Sequence, residues 1–597
     1  MKKFLQWFPT VLIVGAVYFA VMSMVNDSQI VDEIPHVGAG YSYVSQQDAR
    51  LNPEHPPLAK DLAGIPLLFM NLSQDVFSSR HWLTGINDQW EFGRLLIYNS
   101  DNDADKIKFY SRLPMLLFYI LSAILILKWG TELYGRPAGF LALVLFLFSP
   151  TVMAHSRFVT TDVPALFGVL ISIYSLVHYL NRPTRMNMLI AGVMLGLALL
   201  FKYNTILLLP FIGFICLAHG YVYDRHTHGH WRMALRQGFS AALIILVAFI
   251  FVVWPVYGFH VLNYPVERQT ADTSMLLSSF GNRIAADTVV WMSQQPYIRA
   301  LGQYALGLLM VVQRSGGGNT IYFLGEVKNQ GGPLYFPLVY FLKEPLAWWF
   351  MVFIAITGAA YRSLNGSHLA RKTQEWMYNH FAEMVMISWM VLYWAVSIKS
   401  TLNIGIRHML PTYPFAILLV AGSIVKTGDW LRHHQRKFVT AFSGVIAVFL
   451  GWYVYENLYI YPYYLTYFNQ AAGGPSGGYK YVADSNLDWG QDLKRLAQFV
   501  DKQGIERVSL DYFGWADPTY YLQNRIEWTH ANSYSNARDF IARNKSDGWI
   551  AVSATFFLQA STPNADRPHS PLQYTWLSAY EPVTVIGNSI FVWHITR

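Results

Sequence analysis

The sequence predicts a polytopic α-helical membrane protein with a small C-terminal α/β domain outside the bilayer. Three observations carry that expectation. First, 53% of the 597 residues are hydrophobic and only 13% are charged, too apolar for an ordinary soluble enzyme of this length. Second, the apolar residues gather into runs long enough to cross about 30 Å of hydrocarbon, enough for about eleven transmembrane helices. Third, the chain changes character after residue 456, where long apolar runs give way to short strand-like and helical patterns. The net charge of +8 forms no basic stripe, so no nucleic-acid partner is expected.

The runs lie near 4–25, 110–128, 137–154, 162–180, 187–201, 203–221, 238–256, 343–360, 383–398, 409–425 and 438–456. The first is too long for a signal-peptide core and lacks a small-residue cleavage site, so it reads as a retained span. With the N-terminus cytoplasmic, the inside connections hold Lys2 and Lys3, Lys128 and Arg136, Arg182 and Arg185, then Arg225, Arg232 and Arg236. Arg362, Arg371 and Lys372 follow, then Lys426, Arg432, Arg436 and Lys437. Every inside connection is thus positive, as the positive-inside rule expects, and an odd number of spans leaves the C-terminus outside. The single cysteine, Cys216, lies within an apolar run; no internal disulfide can form and packing is its expected role.

Three large pieces then share the outer face: 26–109, 257–342 and 457–597. Loops of this length are more often functional or folded units than connectors. In the first, "LAKDLAGIPLLFMNL" suits a short helix lying in the interface. In the last, "IERVSLDYFG", "GWIAVSATFF" and "PVTVIGNSIFVWHI" read as strands, with helical patterns at 488–503 and 537–544. The expected division is a membrane domain over 1–456 and an α/β domain over 457–597.

The charges that could carry chemistry sit at the outer ends of the runs. Asp32 and Glu33 follow the first span directly; partial desolvation there would raise a carboxyl toward a useful basicity, and Asp32 is the candidate general base. An acidic loop with capping carboxylates is the plain alternative. "NPEHPPLAKDL" gathers Glu54, His55 and Lys60 behind stiffening prolines. "AHSRFVTTDVPALFG" sets His155, Arg157 and Asp162 on a short turn, where Asp162 either caps the next helix or faces the site. "SIKSTLNIGIRHMLPTYPF" places Lys399, Arg407 and His408 at an outer span end, against the positive-inside trend. One base and several cations at bilayer depth match a lipid with a phosphate head, whose tail the spans would groove. "RSGGGNT" at 314–320 lacks the lysine of a phosphate loop and reads as a turn; the histidines of "HTHGHWR" at 226–232 read as a solvated loop.

"DEIPHVGAGYSYV", "NPEHPPLAKDLAGIPLL", "AHSRFVTTDVPALFG", "YFLGEVKNQGGPLYFPLVYFLKEP" and "YVADSNLDWGQDL" resemble the bacterial glycosyltransferases related to the protein O-mannosyltransferases, family 39, with the multi-spanning GT-C fold. The resemblance runs to about residue 515. It implies a bacterial inner-membrane enzyme, with the C-terminal domain periplasmic, that takes one sugar from a polyprenyl phosphate and passes it with inversion to an acceptor hydroxyl on a glycan, lipid or protein. It implies Asp32 as catalytic base with Glu33 supporting it, and the His55, Pro56, Pro57 segment with Lys60 near the donor phosphate. His55, Lys60, Arg157, Arg407 and His408 are the expected phosphate-binding set, with Glu54 and Asp162 in support. No metal or other cofactor is required, although Glu54 or Glu33 could ligate a divalent ion. The chain has no β-trefoil module, which leaves the acceptor open. A ligase using a diphosphate-linked lipid donor and a lipid-sugar flippase are the alternatives; against the flippase, the charges cluster at span ends and not at the midplane.

Overall fold

The computed structural model describes residues 2–99, 101–224, 230–364, 379–568 and 572–596. Arg225, Arg371, Lys372 and most of the histidine-rich 226–232 stretch fall outside them. Each apolar run is helical. Among the described residues eight helices are long and apolar enough to cross a membrane: Ala104–Tyr134, Asp162–Asn181, Tyr203–Tyr221, Arg232–His260, Leu346–Leu364, Phe381–Lys399, Ile406–His434 and Arg436–Tyr459. The 137–154 run is instead a pair, Arg136–Leu147 and Pro150–Ser156, bent by 62°. Pro150 has no N–H to continue the first helix, and the Ser149 hydroxyl opens the second by accepting from the Val152 N–H at 3.2 Å. Trp7–Ser23 and Arg185–Leu199 are shorter apolar helices.

The first long loop folds as helices. Glu33–Gln46 crosses both Leu58–Gly64 and Gln89–Tyr98, and glycine makes the crossings possible. A Cβ on Gly40 would run into the Lys60 carbonyl oxygen, and one on Gly93 into that of Ile34. The interfacial stretch becomes the helix Leu58–Gly64 and the 3-10 turn Ile65–Phe69, which presents Leu68 and Phe69 outward. The second long loop forms three amphipathic helices, ending in Arg299–Gly317, and a hairpin of β1 (Ile321–Phe323) and β2 (Glu326–Lys328).

The C-terminal piece holds a five-stranded sheet of β3 (Val508–Asp511), β4 (Ile526–Trp528), β5 (Trp549–Ser553), β6 (Thr584–Ile586) and β7 (Ile590–His594), in the order β4-β3-β5-β7-β6. β3 pairs in parallel with β4 and β5; β7 runs antiparallel to β5 and β6, with Trp549 opposite His594 and Ser553 opposite Ile590. Two expectations need correction. The strand expected across "GWIAVSATFF" stops at Ser553, and Ala554–Ser561 is a helix. The helix expected from 488 begins only at Leu493, because Gly490 takes φ 87° and the 489–491 backbone is occupied elsewhere. The Ser28 N–H donates to the Gln491 carbonyl and the Val31 N–H to that of Trp489, both at 2.9 Å. The loops also join one another, Gln303 donating to the Ala49 carbonyl at 2.9 Å and Val327 N–H to that of Pro563 at 3.0 Å. All three pieces therefore pack together at one end of the helix bundle.

Candidate active site

At that end lies a cavity of about 680 Å3. Asp32, Glu54, His55, Arg407 and His408 line it, so five of the nine expected residues meet there. Asp32 is the last residue before the helix Glu33–Gln46, held by the Val31 bond to the C-terminal segment. Its Oδ2 lies 2.6 Å from Arg407 Nη1. Burial pushes the Asp32 carboxyl up, but the Arg407 guanidinium, then His36 and the Arg407 hydrogen bond, outweigh it and hold the group below the usual carboxylate range.

Arg407 is fixed from three sides. The same Nη1 lies 3.5 Å from Asp162 Oδ2, and the guanidinium stacks on the Trp489 ring at 4.1 Å. The backbone reaches this position through Gly405, whose φ of 121° and close approach to Ser485 admit no side chain. Asp162 opens the helix Asp162–Asn181 without making a capping hydrogen bond. It receives Lys202 Nζ at 2.5 Å instead, so it does not cap but, itself buried behind the lining, braces two cations of the cavity, Lys202 and Arg407.

Besides Asp162, three expected residues stand apart from the cavity lining. Glu33 turns inward, accepting Arg112 Nε and Nη2 at 2.7 and 2.6 Å and the Ile30 and Val159 N–H groups, each at 2.9 Å. It is locked by hydrogen bonds and orients the turn that carries Asp32. Lys60 is buried, its Nζ donating to Asn52 Oδ1 and O at 2.8 Å and to the His55 carbonyl at 2.7 Å; it ties down the turn bearing Glu54 and His55. Burial pushes the Lys60 amine down to about 7. Arg157 pairs with Asp27, which also meets Arg495 at 2.6 Å. A guanidinium that deep requires a carboxylate of its own, and Asp27 supplies it.

The cavity adds residues not singled out as site residues from the sequence: His36, Lys202, Arg314, Asp484 and Trp489. His36 belongs to the Asp-Glu motif, and its Nδ1 bonds the Val159 carbonyl at 3.0 Å, which leaves Nε2 as acceptor. Lys202 is a lone cation in a short connection. Asp484 and Trp489 lie in "YVADSNLDWGQDL", and Asp484 adopts φ 56°, unusual for a residue with a side chain. Burial pushes the Asp484 carboxyl up to about 6, against the pull of Arg407. Arg314 lies in the last turn of the helix Arg299–Gly317, which runs four residues into the stretch expected to be a turn and stops only where Gly318 takes φ 71°; it has no ion-pair partner among the described residues. Beside it the lining turns apolar, with Leu308, Val311 and Val312 of that helix facing Ile206, Leu207 and Val396 from two spans. Among the described residues no three His, Cys, Asp or Glu side chains converge as a metal site.

The dolichyl-phosphate-mannose-protein mannosyltransferase family matches residues 105–254. No curated protein matches the chain. Among solved structures, the S. cerevisiae protein O-mannosyltransferase Pmt1-Pmt2 complex bound to the sugar donor superposes with a TM-score of 0.53 at 12% identity, over 77% of this chain and 90% of that one. The oligosaccharyltransferase AglB from Archaeoglobus fulgidus, in complex with an inhibitory peptide and a dolichol-phosphate, gives 0.48 at 12% identity, over 94% of this chain and 71% of that one. ArnT from Cupriavidus metallidurans bound to undecaprenyl phosphate gives 0.30 at 12% identity, over 98% of each chain. The fold is that of the GT-C membrane glycosyltransferases, and the chain resembles the protein O-mannosyltransferases.

Proposed function

We propose that this chain is an inverting glycosyltransferase that moves one sugar from a polyprenyl phosphate to an acceptor hydroxyl, at the membrane face on which its long loops lie, taken to be the periplasmic one. The observation that carries the reading is the cavity itself, in which a carboxylate, a group of cations and an apolar stretch supplied by spans occupy one space. The family description and the sugar donor bound in the yeast complex support it.

In this reading the tail lies along Leu308, Val311, Ile206 and Val396, and the phosphate meets Arg314, Lys202 and Arg407. Cations placed where charge develops stabilise the departing phosphate. Asp32 accepts the proton of the acceptor hydroxyl. The hydroxyl oxygen bonds to the anomeric carbon from the face opposite the phosphate, the carbon–phosphate oxygen bond breaks, and its electron pair leaves with polyprenyl phosphate. Anionic phosphate draws Arg407 from Asp32, so donor binding frees the base that the resting pair holds in check.

The deciding measurement is release of free polyprenyl phosphate from a panel of polyprenyl phosphate sugars by the purified protein, wild type against Asp32→Asn, with and without EDTA. Turnover by wild type and a loss of about a hundredfold or more in the variant, with donor binding kept in both, is the expected result. Binding of no carrier by either protein would sink the reading. Preference for a diphosphate-linked lipid together with loss in EDTA would point to a ligase.

A further inference from the structure

A second group of lining residues in the same cavity is unlike the apolar stretch. Trp90 comes from the helix Gln89–Tyr98, Phe513 follows β3, Gln559 lies on Ala554–Ser561, and Asn319 and Thr320 lead into β1. This part of the lining, called the mouth below, is therefore shared by the first loop, the second loop and the C-terminal domain. Trp90 packs on Trp515, ring centroids 4.9 Å apart, and Trp515 is 39% exposed.

The polar groups here divide into two kinds. Asn52 donates to Gln89, and Gln89 and Asn87 donate to the Glu54 carboxylate, the latter at 3.2 Å. That relay presents Glu54 as a fixed acceptor with lone pairs left for the cavity, since a carboxylate has about four acceptor sites. By contrast, the Gln559 amide and the Trp90 indole N–H make no hydrogen bond among the described residues, although they line the same space. A wall of aromatic faces, free amide and indole donors and one oriented carboxylate matches a hydroxyl-rich ring. A pyranose stacks its C–H face, slightly positive, on the negative face of an aromatic ring. Its hydroxyls pair with amide and carboxylate at the edges. A peptide would find less here, because β1, into which Thr320 leads, and β2 spend their edges on each other, on Val482 and on Asn564.

We infer that this mouth is the acceptor subsite and that the acceptor is a carbohydrate, whose hydroxyl enters past Trp90 and Gln559 toward Asp32. The inference rests on the transferase reading for its direction of transfer, but its ligand class stands on the mouth alone.

The experiment uses the full chain in detergent and reads two quantities. Saturation-transfer NMR measures binding of methyl pyranosides and disaccharides of glucose, mannose, galactose and N-acetylglucosamine, without donor, to wild type, Gln559→Ala and Trp90→Leu. The transfer assay then compares these sugars with a Ser/Thr-rich peptide at one donor. Gln559→Ala removes an amide without an internal partner, and Trp90→Leu keeps apolar volume, so both variants are expected to fold. Expected are pyranoside binding in wild type, a rise of about tenfold in sugar KM in each variant and an unchanged donor KM. Transfer to the peptide alone, or sugar binding indifferent to both substitutions, would overturn the inference. If the sugars bind through Trp90 and Gln559 while no donor is cleaved, the carbohydrate site stands and the transferase reading falls.

Discussion

Asp32 rests against Arg407 at 2.6 Å, and that contact sets its proton affinity. With the guanidinium removed, burial is the largest remaining influence and acts upward. Arg407→Gln should therefore move the acid limb of kcat/KM to higher pH than in wild type, with Arg407→Lys in between, as pH–rate profiles would show. An unmoved limb would mean that Asp32 is not the titrating base. Asp484 gives a prediction of opposite origin. Its carboxyl is raised from 3.8 to about 6, so the folded state holds this proton more tightly than the unfolded chain does. The stability it contributes is present below the unfolded value and is lost as pH rises through the folded one. Asp484→Asn, which also suits φ 56°, should have a Tm that gains on wild type as pH rises from about 4 to about 6. A Tm difference flat across that window would refute the assignment.

At the scale of the element, the helix Arg299–Gly317 does two things with one face. Residues 308, 311 and 312 fall on the same side at helical spacing, and Arg314 follows them at the cavity. An apolar stretch ending in an unpaired cation is a fit for a lipid phosphate, tail along the helix and head at its end. Arg314→Gln is expected to raise donor KM about tenfold while leaving acceptor KM near wild type; an equal rise in both would place Arg314 outside the donor site. The 489–491 segment works through its backbone as well as its ring. Trp489 stacks on Arg407 while its carbonyl holds Val31, the residue before Asp32. Both members of the Asp32–Arg407 pair thus lean on one residue of the C-terminal piece.

At the scale of the whole molecule, a buried network joins the spans to the C-terminal piece. Asp27 follows the first helix, Arg157 lies on the turn before Asp162, and Arg495, on the helix Leu493–Gln503, bridges Asp27 and Asp492. All four are nearly inaccessible. Removing one partner of a buried pair leaves an uncompensated charge and costs roughly 3–5 kcal/mol. Asp27→Asn should accordingly lower Tm sharply, because Arg157 then loses its one ion-pair partner among the described residues, and Arg157→Met in the same chain should recover part of the loss, because the two substitutions share that interaction. Thermal unfolding in detergent measures both. Additive losses would show that the two residues do not act as a pair.

The sequence by itself determined the class of the molecule: apolar runs of span length, positive connections and a strand-rich tail are local or periodic signals, and the expected runs are helical in the structure, the 137–154 run as a bent pair. It also marked Asp32, Glu54, His55, Arg407 and His408, which do share one cavity. It did not separate residues that face that cavity from those that brace it. Glu33, Lys60 and Arg157 carry the same charges as the lining residues, but the partners that turn them inward, Arg112, the 52–55 carbonyls and Asp27, are distant in sequence or are backbone groups without a residue signature. Lys202 and Arg314 were hidden for the converse reason, each a single charge in a short connection or beside a glycine run. Tertiary structure alone decided these roles, because whether a charged side chain is spent internally or left for a ligand depends on which opposite charge folding brings within about 4 Å, and burial makes that choice costly to reverse.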